Sequence, residues 1–200
     1  YPDNIDDSQE NKILDLFLSL GNTHAARSVL IEQFLSISNQ SKMTSPERCY
    51  IATNGDSAAF ASRYCCQIQN LLPWEEYIRR QAMSKIGASI RGHGDTCLHT
   101  YELASFETAM LYCPIDNYTP YPFRNLKDCI FINEECSNVP KVLEILLNED
   151  ELRIQIAKAG KAHCRQFHTT YARAKYLIDS SVRLMAGEDF QKIAENYEIY

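Results

Sequence analysis

The 200-residue sequence has no positive charge to spare: 20 Lys and Arg stand against 26 Asp and Glu, leaving a net charge of −6. That balance offers nothing to neutralise a nucleic-acid backbone or an anionic membrane, so no nucleic-acid partner is expected and any phosphate is held locally. No apolar run reaches the roughly 18 to 20 residues of a membrane span, and Tyr1-Pro-Asp-Asn-Ile-Asp-Asp7 lacks the apolar stretch of a signal peptide. A cytoplasmic chain without a transmembrane segment is the expectation. It opens on Tyr1 rather than Met, as a fragment or processed product does. Cys-x-x-Cys and His-Glu-x-x-His are both missing, so the five His and eight Cys give no zinc spacing and no metal is expected. Gly-x-Ser-x-Gly and cysteine-protease signatures are missing too, which removes support for a hydrolase.

Hydrophobic residues make up 45% of the chain, enough for the core of one domain spanning 1–200. The cysteines are scattered, and several sit inside apolar runs, as Cys113 does in Leu111-Tyr-Cys-Pro-Ile115. They read as reduced thiols acting as small hydrophobes, and the sequons at Asn39 and Asn117 are triplets that recur by chance.

Short, nearly continuous apolar runs alternate with helical patterns. Strands are predicted at 13–20, 48–53, 86–90, 111–115 and 128–132, and helices at 24–37, 74–84 and 98–110, with a possible helix in 56–70. From 139 onward the chain reads as helices at 139–147, 150–159, 161–181 and 189–197. Strands apolar on both faces imply an α/β fold, a Rossmann-like parallel sheet with helices on both faces and a helical C-terminal third.

In such a sheet, ligands bind beyond the carboxyl ends of the strands, where helix N-termini present free N–H groups. Two loops qualify. Gly21-Asn22-Thr23-His24 lets a ligand approach the backbone, although its pattern alone favours an ordinary strand-to-helix turn capped by Asn22 or Thr23. Arg91-Gly92-His93-Gly94-Asp95-Thr96 is richer, gathering two glycines, an acid, a hydroxyl and a cation before a helix. It does not complete the dinucleotide fingerprint, since the third glycine is replaced by Cys97. Glu102 and Glu107 lie about 140° apart around a helix and cannot form one paired site. Glu102 suits a ribose hydroxyl, and Glu107 reads as a solvated face residue. Trp74, the single tryptophan, is either a platform for a base or sugar or an aromatic covering the sheet edge.

The stretches Lys85-Ile-Gly-Ala-Ser-Ile-Arg-Gly-His-Gly-Asp-Thr96, Tyr101-Glu-Leu-Ala-Ser105, Asp128-Cys-Ile-Phe-Ile132, Ala157-Lys-Ala-Gly-Lys161 and Phe167 to Leu177 resemble a known domain. It is the C-terminal domain of GT-B group-1 glycosyltransferases, in particular their spore-protein-like branch. The resemblance implies a Rossmann-like domain that binds a nucleotide-sugar donor without a metal or other cofactor, working with a separate N-terminal acceptor domain not present here. It further implies Arg91 and Glu102 as catalytic residues, with Glu102 on the ribose. Gly21, Asn22, Gly92, Gly94, Asp95, Thr96 and Trp74 are the implied donor-binding residues. The chain departs from the family where an Arg often precedes the Glu, having His99-Thr100-Tyr101 there, and where a small Ala-Cys-Gly follows, having Ala104-Ser105-Phe106-Glu107. The residue eight before Glu102 is Gly94, not a second Glu. These departures keep a second reading open, a catalytically inactive nucleotide-binding or protein-interaction module on the same fold.

Overall fold

In the computed structural model, the described residues are 5–21, 25–38, 44–54, 67–69, 72–92, 97–115 and 119–199. The run Leu14–Gly21 is apolar on both faces because it becomes a central strand: Leu16, Phe17 and Leu18 are all fully buried in β1. Its parallel neighbours are β2 (Cys49–Asn54), with Leu18 beside Ile51, and β4 (Ser84–Ser89), with Leu16 beside Ile86. β3 (Gln67–Gln69), β5 (Ala109–Tyr112) and β6 (Ile130–Phe131) complete a six-stranded parallel sheet in the order β3-β2-β1-β4-β5-β6. The order reverses between β1 and β4, so the carboxyl ends of these two strands flank the crevice where open α/β sheets take ligands. Both loops singled out in the sequence leave from those two strands.

The helices are α1 (Ala25–Ser38), α2 (Trp74–Ala82), α3 (Leu98–Ser105), α4 (Val139–Asn148), α5 (Asp150–Phe167), α6 (Thr170–Met185) and α7 (Phe190–Asn196). One face of the sheet packs Leu16, Leu18, Ile86 and Ala88 against Leu30, Phe34 and Leu35 of α1 and Leu143 and Leu146 of α4. The other carries Phe17 and Gly87 beneath α2 and α3. A Cβ at Gly87 would lie 2.4 Å from Leu103 Cδ2, so the missing side chain lets α3 settle on the sheet. α6 buries none of its residues and exposes Tyr171, Leu177, Ile178, Val182 and Met185. No helix among the described residues is long and apolar enough to cross a membrane.

Among the boundaries that differ from the sequence expectation, four carry a physical reason or fall in part outside the described residues. The helix predicted to reach Met110 stops at Ser105: the N–H of Thr108 bonds the Leu103 carbonyl and that of Glu107 the Ala104 carbonyl, with Glu107 left-handed at φ 56°. That closing motif normally uses glycine, and nothing in Phe106-Glu107 announced it. The expected break at Gly160 is absent, because α5 runs through it. A Cβ there would meet the Asp128 carbonyl oxygen at 2.6 Å, so this glycine serves packing rather than termination. The predicted 161–181 helix is instead divided at His168 and Thr169, whose hydroxyl accepts from the N–H of Ala172 and starts α6. The 56–70 stretch, read as a possible helix, ends in β3, and the rest of it lies outside the described residues.

Candidate functional site

Gly21 is the last residue of β1, paired with Asn54 of β2. Asn22 in the following loop, and Gly94, Asp95 and Thr96 after β4, lie outside the described residues. Arg91 and Gly92 follow β4 directly. The guanidinium of Arg27, in the first turn of α1, lies against Gly92, where a Cβ would come within 2.4 Å of its Nη2. Arg27 Nε donates to the Arg91 carbonyl oxygen at 2.9 Å and Nη2 to that of Ile90 at 3.4 Å. A buried cation from α1 therefore shapes the start of the 91–96 loop. Arg91 itself is partly exposed, with Nη2 3.7 Å from the Glu134 carboxylate ahead of α4.

Glu102 sits in the second turn of α3 and is 7% exposed. The Tyr77 hydroxyl of α2 lies 2.5 Å from Glu102 Oε2 and 2.8 Å from His99 Nδ1, while His99 Nε2 lies 3.1 Å from the Ala88 carbonyl oxygen. Ser89 and Thr100 share a hydroxyl contact at 2.7 Å, pinning the first turn of α3 to the end of β4. Burial raises the Glu102 carboxyl above the ordinary glutamate range, an effect that the Tyr77 hydroxyl partly offsets. Burial also pushes the His99 imidazole down to about 4, and the Arg27 guanidinium pushes in the same direction.

Trp74, the first residue of α2, is 55% exposed with its ring 5.7 Å from that of Tyr77. Trp74, Tyr77, His99 and Glu102 thus form one aromatic and acidic group between α2 and α3. The two residues implied as catalytic are held by different elements, Arg91 beside Glu134 and Glu102 beside Tyr77. Glu107 is not the solvated residue expected: it lies past the end of α3 and pairs with Lys161 at 3.3 Å, its side chain 14% exposed. Phe106, where the family has a small residue, packs with Ile78 and Ala82. A groove of about 660 Å³ lies between α3, α5 and the start of α6, lined by Tyr101, Cys164, His168 and Thr170, and contains neither Arg91 nor Glu102.

The sequence reading did not single out Arg27 or Tyr77. Arg27 carried a signal, a lone cation in the first turn of the helix after β1. Tyr77 carried none.

Compared with known proteins, residues 46–179 match the model of the glycosyl transferase-like family, an interval that contains the whole 85–177 segment. The chain belongs to the glycosyl transferase-like family. No curated protein matches it in sequence. Its fold is that of the C-terminal domain of a group 1 glycosyl transferase (LpcC) from Francisella tularensis, at 12% identity and a TM-score of 0.61 over 85% of this chain and 96% of that one. A single-site mutant of Staphylococcus aureus TarM, solved with fondaparinux, α-GlcNAc-glycerol and UDP, gives a TM-score of 0.65 at 11% identity, covering 89% of this chain and 36% of its own. The pneumococcal O-GlcNAc transferase GtfA, with UDP and GlcNAc, gives 0.58 at 12% identity, covering 88% and 37%. These likenesses are of fold, and this glycosyl transferase-like chain spans about a third of the TarM and GtfA chains.

Proposed function

We propose that this chain is the donor-binding domain of a glycosyltransferase, holding a nucleotide sugar in the crevice between β1 and β4 while an acceptor is presented by a separate N-terminal domain. The observation that carries this reading is Glu102, a buried carboxyl on the first helix after β4, beside the point where the strand order reverses. In this reading Glu102 accepts from the donor's ribose hydroxyls, with Trp74 alongside the bound nucleotide. Gly21, Asn22, Gly92, Gly94, Asp95 and Thr96 line the diphosphate and sugar. As the nucleoside diphosphate leaves it gains negative charge, which fixed N–H groups, Arg91 and the start of α3 stabilise without a metal.

Calorimetry with a panel of nucleotide sugars and nucleoside diphosphates tests the proposal. Binding in the micromolar range is expected, unchanged by EDTA and weakened at least about tenfold by Glu102→Ala, the loss of a hydrogen bond to a charged group. The absence of any binding tighter than millimolar overturns it.

The departures at His99 and Gly94 favour the alternative of an inactive module. Replacing Arg91, Asp95 and Glu102 together by Ala in the full-length protein separates the two. Transfer that disappears supports the enzyme, and transfer that persists undiminished removes these residues from its machinery.

A further inference from the structure

The Tyr77 hydroxyl stands between two groups that both need it. It contacts His99 Nδ1 at 2.8 Å and Glu102 Oε2 at 2.5 Å, and the other His99 nitrogen contacts the Ala88 carbonyl oxygen at 3.1 Å. A carbonyl oxygen only accepts, so His99 Nε2 carries a hydrogen. A phenol has one hydrogen to give. If it points at His99, the Tyr77 oxygen must receive a hydrogen from Glu102; if it points at Glu102, that oxygen must receive one from His99 Nδ1. Either way, three contacts need three hydrogens, whereas a neutral imidazole, a phenol and an ionised carboxylate supply two. A further acceptor on Tyr77 would deepen this shortfall, and a further donor would bring its own hydrogen.

We propose that Glu102, Tyr77 and His99 hold one extra proton in the unliganded protein, carried by Glu102 as a neutral carboxyl, and that Tyr77 and His99 are positioning residues that keep it there. Glu102 rather than His99 takes the proton because of what faces each group. Burial opposes an imidazolium at His99, as does the Arg27 guanidinium from α1, and together they outweigh the Ala88 carbonyl of β4, whose contact favours it. Burial of Glu102 favours its neutral form. The hydrogen bonds then run one way: Glu102 donates to the Tyr77 oxygen, Tyr77 to His99 Nδ1, and His99 Nε2 to the Ala88 oxygen.

A consequence for binding rests on the donor-binding reading above. A ribose diol brings two hydroxyl donors, and only an ionised carboxylate accepts both freely. Donor entry therefore displaces Tyr77 from Glu102 and releases the proton to solvent.

Infrared difference spectra of the unliganded protein, wild type minus Glu102→Gln, test the proton directly. A protonated-carboxyl band is expected to persist well above the ordinary glutamate pKa of about 4.3 and to be absent from the variant. Gln retains an N–H for the Tyr77 oxygen, so this variant is expected to fold. Lack of the band overturns the proposal whether or not any donor binds.

His99→Phe tests the direction of the chain. Without the imidazole acceptor, the phenol turns to Glu102, and the band's midpoint is expected to fall by about one pH unit or more. An unchanged or raised midpoint in the folded variant contradicts the positioning role, because burial alone predicts no fall. Calorimetry of UDP in phosphate and Tris buffers then reads the coupling, with close to one proton released per UDP below the midpoint and none in Glu102→Gln. Binding without release overturns the coupling. A band without UDP binding leaves the proton chain standing and removes the donor-binding reading.

Discussion

At the amino ends of the strands Asp15 of β1 is buried among complementary groups, whereas at the carboxyl ends Glu102 is buried beside a phenol and an imidazole held neutral. Asp15 receives Lys85 Nζ at 2.9 Å, Arg48 Nη2 at 2.6 Å and the Thr44 hydroxyl at 2.8 Å. Nearby, Lys12 Nζ donates to the carbonyl oxygens of Ala82 at 2.8 Å and Phe106 at 2.7 Å, where α2 and α3 end with their negative dipole poles. The nearest cationic atom to Glu102 among the described residues is His99 Nδ1 at 4.0 Å, on a ring that its surroundings keep uncharged. Evolution tolerates a buried charge when its partners are built in, and the amino-end network meets that condition. The carboxyl-end group does not, as the donor-binding reading proposed above requires of a site that its ligand completes.

The largest effect expected from breaking this contrast is at Asp15. Asp15→Ala strands two cations, but Lys85 and Arg48 keep 20% and 46% of their side chains exposed. The loss is therefore expected at about 2 to 3 kcal/mol, below the figure for a fully buried orphaned charge. Urea denaturation reads it. Nucleotide affinity of the folded fraction is expected to stay at the wild-type value, while Glu102→Ala shows the reverse pattern, weak binding with stability little changed. A loss of affinity in Asp15→Ala would abolish the distinction between the two ends.

Lys12 sharpens it through pH. Burial holds its ammonium down at about 7 from the ordinary 10.5, against the pull of Asp7 and Glu107. Between these values the unfolded chain binds the proton and the folded chain does not. The stability on this account is fully present above 10.5 and is lost as pH falls through about 7. Urea midpoints measured between about pH 7 and 9 should therefore rise more steeply in the wild type than in Lys12→Met. The difference is at most about 1.4 kcal/mol per pH unit. Equal slopes would mean that Lys12 keeps its proton and pairs as an ordinary cation.

Much of this was legible in the sequence, for identifiable reasons. β1, β2 and β4 are buried on both faces, so their apolar runs stood out and picked out the two loops, while the reversal of strand order between them came only from the sheet itself. Glu102 was reached first from its place near the start of the helix after the 91–96 loop, and again through resemblance. What escaped was tertiary: Tyr77 meets His99 and Glu102 from 22 and 25 residues away, and Arg27 reaches the β4 loop across 63 residues. Glycine misled in one place and was missing in another. Gly160 promised a helix end that packing against the Asp128 carbonyl explains away, and the true end of α3 fell at a glutamate.

That glutamate provides the smallest and most specific test of the amino-end network. Glu107 takes φ 56°, a conformation in which a Cβ is disfavoured, and its carboxylate is held by Lys161 at 3.3 Å and by Gln9 at 3.2 Å. Both Glu107→Ala and Glu107→Gly delete these contacts, so the difference between the two isolates the backbone. Ala retains the left-handed strain and Gly relieves it, which should leave the Ala variant about 1 kcal/mol less stable than the Gly variant. Lys161 keeps its bond to Asp7 at 2.6 Å in either case, so neither loss should approach that of Asp15→Ala. Thermal denaturation of the pair decides the point: equal melting temperatures would show that α3 can close without the left-handed turn, and with it the close approach of Phe106 to Lys12.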